Sequence, residues 1–281
     1  ILAYMTSPNL QVSVEIINIE ECSWRQFLTL ANKVTGVVAD CKLREASMER
    51  IKLAKQTFGG EPFDQVTTLE MGIDHAPHVL INLFTTPYLN SVSLWFTTAE
   101  NNSFAWAVYD LPLMAPNITH FCISLGPSHC LDVSQYSALQ DFELIGLIVT
   151  IQLWESLATC QRLRNVGLAG CIAAEEDWSA NQHADLVRFP ALCTLKIRCG
   201  HSRVMRRLIL RSHMPMLETL RWDNEPVIAD SFIDQIAKHL KQYSPKIRTG
   251  LLYGPKSFMC HFGIGEYDDS AIDTDAESGN D

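Results

Sequence analysis

One spacing of apolar residues recurs along most of the chain: an apolar position, two variable ones, an apolar one, one variable one and a last apolar one. It fits Val66, Leu69 and Met71; Leu89, Val92 and Leu94; Ile118, Phe121 and Ile123; Leu139, Phe142 and Leu144; Leu163, Val166 and Leu168; Leu192, Leu195 and Ile197; and Leu217, Leu220 and Trp222. The last two apolar positions of each frame stand two apart. In an extended chain they point to one face, while the residues beside them point to the other. Each frame therefore predicts a short strand with one buried side. Pro87, Pro116, Cys160, Pro190 and Pro215 stand two or three residues ahead of five frames. A proline there ends a preceding helix and extends the chain into the strand.

The steps between first apolar positions are 23, 29, 21, 24, 29 and 25 residues, within the range of roughly 20–29 for leucine-rich repeats. One copy cannot bury its apolar face alone, whereas stacked copies can. The expected fold is an α/β, irregular leucine-rich-repeat solenoid, with a curved parallel sheet on the concave side and helices and loops on the convex side. It spans residues 1–262, with 230–262 as a C-terminal cap and 263–281 as an acidic disordered tail.

Elements between and around the frames follow from local patterns. Leu10, Val12, Val14 and Ile16 alternate as a strand that opens the sheet, and Val34, Val37 and Ala39 fit the frame weakly. Ser23 to Gln26 reads as a capping box before Trp24, Phe27, Leu28 and Ala31 at helical spacing. Met48, Ile51 and Ala54 suggest a helix closed by Gly59 and Gly60, and Pro77 opens one bearing Val79, Leu80, Leu83 and Phe84. Phe104, Trp106, Val108 and Tyr109 fit helix or strand, and Gly126-Pro127 predicts a loop or a 3₁₀ turn. Ile151, Trp154, Leu157 and Ala158 form a helical side. So do Val204, Met205, Leu208 and Ile209, with Arg203, Arg206, Arg207 and Arg211 facing water. Phe232 to Tyr243 is an amphipathic helix stopped by Ser244-Pro245, after which Leu251 to Tyr253 supplies a last strand.

With 281 residues, 47% of them hydrophobic, the chain can bury a large interior. Its formal charge is −10, but seven acids and no Lys or Arg fall in residues 266–281, so the remainder carries about −3. That near balance argues against a nucleic-acid surface. Ser270 and Thr274, each followed three residues later by an acid, match an acidophilic phosphorylation pattern that short motifs also meet by chance. Nine cysteines without close CxxC pairs read as buried thiols in a reducing compartment rather than a zinc site. The apolar tract Leu144 to Ile151 is far too short to span a bilayer, so no membrane is expected and the cytoplasm or nucleus follows. The sequons at Asn101 and Asn117 then carry no meaning. The start at Ile1 rather than Met leads to the expectation that an N-terminal part is missing.

Catalysis finds no foothold. Pro255 stands where a P-loop needs its last glycine, removing an N–H from the run Gly250 to Ser257. Ser128, His129 and Cys130 are neighbours without an orienting carboxylate, and His75 and His78 share one helix start at most. No catalytic residue, metal site or cofactor is expected. What remains is the inner face, where Trp95, His120, Asp141, Glu143, Lys196, Arg198 and Arg221 are the candidate protein-binding residues. Lys196 and Arg221 occupy equivalent positions in successive frames, about 5 Å apart across parallel strands, a like-charge pair unless an acid lies near. Trp95 would expose a large ring, and aromatic and Arg side chains are the usual interface anchors. Asp223 can neutralise Arg221 locally, and a charge on such a face is usually just solvated.

A strand and tryptophan-bearing helix, irregular repeats of the Pro-x-Leu-x-x-Leu-x-Leu kind and an acidic tail together resemble the C-terminal region of F-box proteins with degenerate leucine-rich repeats, as in basidiomycete fungi. The resemblance covers roughly Leu10 to Gly254 and is best at Ala115 to Ile123, Cys160 to Cys171 and Phe189 to Ile197. Cys171 matches the cysteine that closes many such repeats, whereas Thr97, Gly126, Leu147 and Gly200 depart from it. The F-box itself is not visible in this chain. The resemblance implies a non-catalytic substrate-recognition part of a Skp–cullin–F-box ubiquitin ligase, holding a protein substrate on the concave face. A Skp-type adaptor would bind only through an F-box ahead of Ile1. The alternative is a stand-alone scaffold or regulator of the Ran-GTPase-activating kind.

Overall fold

The computed structural model describes residues 10–11, 35–39, 63–72, 84–96, 110–124, 131–173 apart from 147, 186–198, 202–223, 230–253 and 258–260, and parts of 25–32 and 53–60. The chain is an α/β protein built on one mostly parallel sheet of 11 strands. Its strands are β1 (Leu10–Gln11), β2 (Gly36–Ala39), β3 (Thr68–Gly72), β4 (Ser91–Trp95), β5 (His120–Ser124), β6 (Asp141–Ile145), β8 (Asn165–Ala169), β11 (Thr194–Arg198), β13 (Thr219–Asp223), β14 (Thr249–Tyr253) and β15 (Phe258–Cys260). They lie side by side in chain order, and every pairing is parallel except the last, where β15 runs back along β14. Two short parallel pairs stand apart from this sheet: β7 (Ile148–Val149) with β9 (Ile172–Ala173), and β10 (Val187–Arg188) with β12 (Ser212–His213).

The register never slips. Leu69, Val92, Phe121, Phe142, Val166, Leu195 and Leu220 form one row across the strands; Met71, Leu94, Ile123, Leu144, Leu168, Ile197 and Trp222 form another. Every residue of the seven apolar frames is at most 2% exposed. A one-residue slip of any strand would turn its buried pair to the polar side, which fixes the register. Hydrogen bonds lock it again just before each strand, where one carbonyl accepts two successive N–H groups of the next unit. Thr35, Thr67, Asn90, Thr119, Gln140, Arg164, Cys193 and Glu218 all supply such a carbonyl.

Helical segments end at Met114 and Tyr243, just ahead of Pro116 and Pro245, and the prolines also shape turns. The N–H of Leu89, Ile118, Leu217 and Ile247 bonds the carbonyl of Thr86, Ala115, Met214 and Ser244 respectively, so Pro87, Pro116, Pro215 and Pro245 each sit second in a four-residue turn, the position that the fixed proline φ suits. The first residue of each turn is itself buried: Thr86, Ala115, Met214 and Ser244, and at the same place in other units Phe63, Tyr136, Cys160 and Phe189. Ser244-Pro245 thus begins an eighth unit, with Ile247 buried and Gly250 and Leu252 continuing the two apolar rows.

Between strands the chain crosses the apolar face. The helices described from end to end are α1 (Leu111–Met114), α2 (Ile151–Thr159), α3 (Ser202–Leu210) and α4 (Asp230–Tyr243). Thr150 caps α2, its side chain accepting from the Leu153 N–H, and Leu153, Trp154 and Leu157 turn inward. Leu208 and Ile209 anchor α3, and Ile236 and Leu240 anchor α4 one turn apart. Trp154 packs on Phe189 with ring centroids 4.6 Å apart and donates its Nε1–H to the buried Ser212 hydroxyl at 2.9 Å. That hydroxyl in turn donates to the Leu208 carbonyl. Tyr136 stacks on Phe121 at 4.9 Å in the same layer. The chain leaves β6 and β8 through Gly146 (φ 74°) and Gly170 (φ 61°), left-handed conformations that glycine adopts without strain.

Outcomes of the local expectations differ by segment. Strand, helix and Gly-Gly closure near the N-terminus are seen where described: β1 and β2, helical residues among 25–31 and 53–58, then Gly59 and Gly60 with positive φ. Of the arginines expected to face water, Arg207 is exposed, but Arg206 and Arg211 are half-buried, and Arg206 donates to Gln235 on α4. Pro77, Phe104 to Tyr109, Gly126-Pro127, Ser128 to Cys130, the sequon at Asn101 and the tail 263–281 lie outside the described residues. Among the described residues no helix is long and apolar enough to cross a membrane.

Candidate functional site

Because the connections cover one face of the sheet, the alternating residues of each strand stand on the other. Three rows cross it. The first holds Thr68, Ser91, His120, Asp141, Asn165, Thr194 and Thr219. Glu70, Ser93, Cys122, Glu143, Gly167, Lys196 and Arg221 make up the second, and the third includes Trp95, Ser124, Ile145, Ala169, Arg198 and Asp223. Ser93, Cys122 and Gly167 keep parts of the second row low, and a groove of about 510 Å³ runs over the face from β4 to β11.

Of the residues singled out in the sequence, His120, Asp141, Glu143 and Lys196 line this groove. His120 and Asp141 do so as part of one hydrogen-bonded string over neighbouring strands. The Thr119 hydroxyl donates to the Asn90 carbonyl and lies 2.8 Å from His120 Nδ1; His120 Nε2 lies 2.8 Å from Asp141 Oδ2; and Asn165 Nδ2 donates to Asp141 Oδ1. The string holds His120, Asp141 and Asn165 in place across β5, β6 and β8. The Cys122 thiol is pushed up to about 11 by burial and by the charges of Glu143 and Glu70, which leaves it protonated and a poor nucleophile at neutral pH.

Glu143 is exposed and leans over Gly167: a Cβ placed on that glycine would meet Glu143 Cγ at 3.4 Å. On the far side of Gly167 stands Lys196, exposed and, among the described residues, without an ion-pair partner. Arg198 and Arg221 lie outside the groove. Both reach Asp223, with Nε to Oδ2 at 3.3 Å and 3.0 Å respectively. Lys196 and Arg221 are register partners as the frame requires, and Asp223 supplies the acid beside them. Trp95 ends β4 half-buried, in register with Ser124, and does not line the groove. The face is thus acidic over β6, through Asp141 and Glu143, and carries the cations Lys196, Arg198 and Arg221 over β11 and β13.

No protein-family model and no curated protein matches this chain.

The frame names every residue of the string except Thr119, whose place just ahead of β5 gives no signal of its own. What spacing alone did not reveal is that Asn165 clamps Asp141 and that Gly167 opens a notch, although both occupy the expected rows. Cys171, the residue matched to a repeat-closing cysteine, is buried with its thiol directed at the Leu144 carbonyl at 3.6 Å. Among the described residues no group of His, Cys, Asp and Glu is placed to hold a metal ion.

Proposed function

We propose that this chain is an irregular leucine-rich-repeat solenoid that binds a protein partner on its polar, concave face and has no catalytic activity of its own. The observation that supports this most is the asymmetry of the sheet. Seven successive frames bury all their apolar positions behind unslipped parallel strands, and the polar rows between them stay uncovered around a groove of about 510 Å³. A surface that the fold does not need, yet which carries graded charge and small residues, suits recognition. By its resemblance to degenerate leucine-rich-repeat F-box proteins, the module reads substrates for a Skp–cullin–F-box ubiquitin ligase in the cytoplasm or nucleus.

The test has two parts. Immobilised chain carrying Lys196→Glu with Arg221→Glu should retain a partner less well than the parent while melting within a few degrees of it; equal retention removes the polar face as the site. Co-purification of a Skp-type adaptor with the full-length gene product supports the ligase role, and its absence leaves a stand-alone scaffold.

A further inference from the structure

Glu143, Gly167 and Lys196 stand side by side on β6, β8 and β11. At the usual spacing of about 4.8 Å between strands, their backbones are about 10 Å apart. Gly167 between them carries no side chain, Glu143 leans over it, and among the described residues Glu143 and Lys196 form no ion pair. Gly167 lies mid-strand, and a Cβ there meets nothing closer than Glu143 Cγ at 3.4 Å. The backbone does not require glycine here, and a branched side chain would favour the strand more. Glycine in a strand interior often marks the close approach of another chain.

Asp141 adds a second carboxylate beside Glu143, held in place by His120 and Asn165. Lys196 stands opposite, while Arg221 beside it on β13 is paired with Asp223. The notch therefore has an anionic wall and a cationic wall of fixed polarity. Resting on the reading of this face as a protein-binding surface, we propose that the notch over Gly167 takes an extended peptide segment bearing a Lys or Arg and, two residues away, an Asp or Glu, the cation against Glu143 and Asp141 and the anion against Lys196. Residues two apart in an extended chain share a face about 6.6 Å apart, a span that the long Glu143 and Lys196 side chains can meet from either side. A segment with two like charges meets repulsion at one wall whichever way it lies, so the same groups that attract the mixed segment exclude uniform ones.

The test uses the full 281-residue chain on immobilised nine-residue peptides whose two variable positions, two apart, are Lys and Glu, Lys and Lys, Glu and Glu, or Gln and Gln. The parent should prefer the Lys/Glu set over either like-charged set by about tenfold. Glu143→Lys should move the preference to Glu/Glu peptides, and Lys196→Glu should move it to Lys/Lys peptides. Each shift is a gain of binding that a misfolded variant cannot produce. Peptide retention that ignores charge, variants that lose binding without a shift in preference, or no peptide retained by the parent overturns the pairing. The parent reading fails separately, when partner capture is indifferent to the Lys196→Glu, Arg221→Glu pair.

Discussion

On β11, Leu195 and Ile197 are fully buried, while Lys196 and Arg198 between and beyond them stand in water; on β6, Phe142 and Leu144 alternate in the same way with half-buried Asp141 and exposed Glu143. The two faces of one sheet share a backbone and a register but not a constraint. On the apolar side each residue must match its neighbours in the units before and after, because burial in close packing leaves no room for change. On the polar side, among the described residues, the string from Thr119 to Asn165 and the Arg198–Asp223 pair tie strands together. Exposed pairs of that kind contribute at most about 1 kcal/mol each. The chain can therefore vary one face without endangering the other.

Leu195→Ala should break the contrast most severely. It removes a fully buried side chain from the middle of a row and should lower unfolding free energy by about 3 kcal/mol in denaturant titration. An effect below about 1 kcal/mol would mean that the row is not packed. Ser212→Ala should cost about 2 kcal/mol, because it strands the buried Trp154 Nε1–H as well as removing the bond to Leu208. A loss no larger than a typical surface substitution would place that pair outside the core.

A smaller, pH-dependent effect belongs to the covering helices. His239 on α4 is half-buried with Nε2 2.8 Å from the Ser212 carbonyl, and it faces His213, Tyr243 and the Ile209 carbonyl. Burial lowers its pKa below the ordinary 6.5, so the folded protein holds it neutral where the unfolded chain begins to bind a proton. Stability should therefore fall as pH drops below about 6.5 and level off once the folded form also protonates. His239→Gln should flatten that part of the profile; an unchanged slope would assign the pH dependence to other groups.

Much of this arrangement was legible in the residues. Seven frames located seven strands with their buried sides and equivalent positions, because a period of two is fixed by the pleat and needs no tertiary information. The last strand was expected at Leu251 to Tyr253 and is β14, but its match to the frame through Ile247 and Leu252 was not seen, because Gly250 occupies the middle apolar place. Prolines were read as helix stops, which holds at Pro116 and Pro245, but the turns that they also occupy were not foreseen. Such a turn depends on where the preceding carbonyl points. The half-burial of Arg206 was hidden as well, since α4, which covers α3, comes about 30 residues later. At the site, spacing gave the rows but not the string through Asp141, nor the notch, which depends on a side chain that is missing.

Gly167→Val separates the two faces within one protein. The account predicts that the variant unfolds at the same temperature as the parent or slightly above it, while its binding to the peptides the parent retains falls at least about tenfold. A folded variant that binds as the parent does would contradict it.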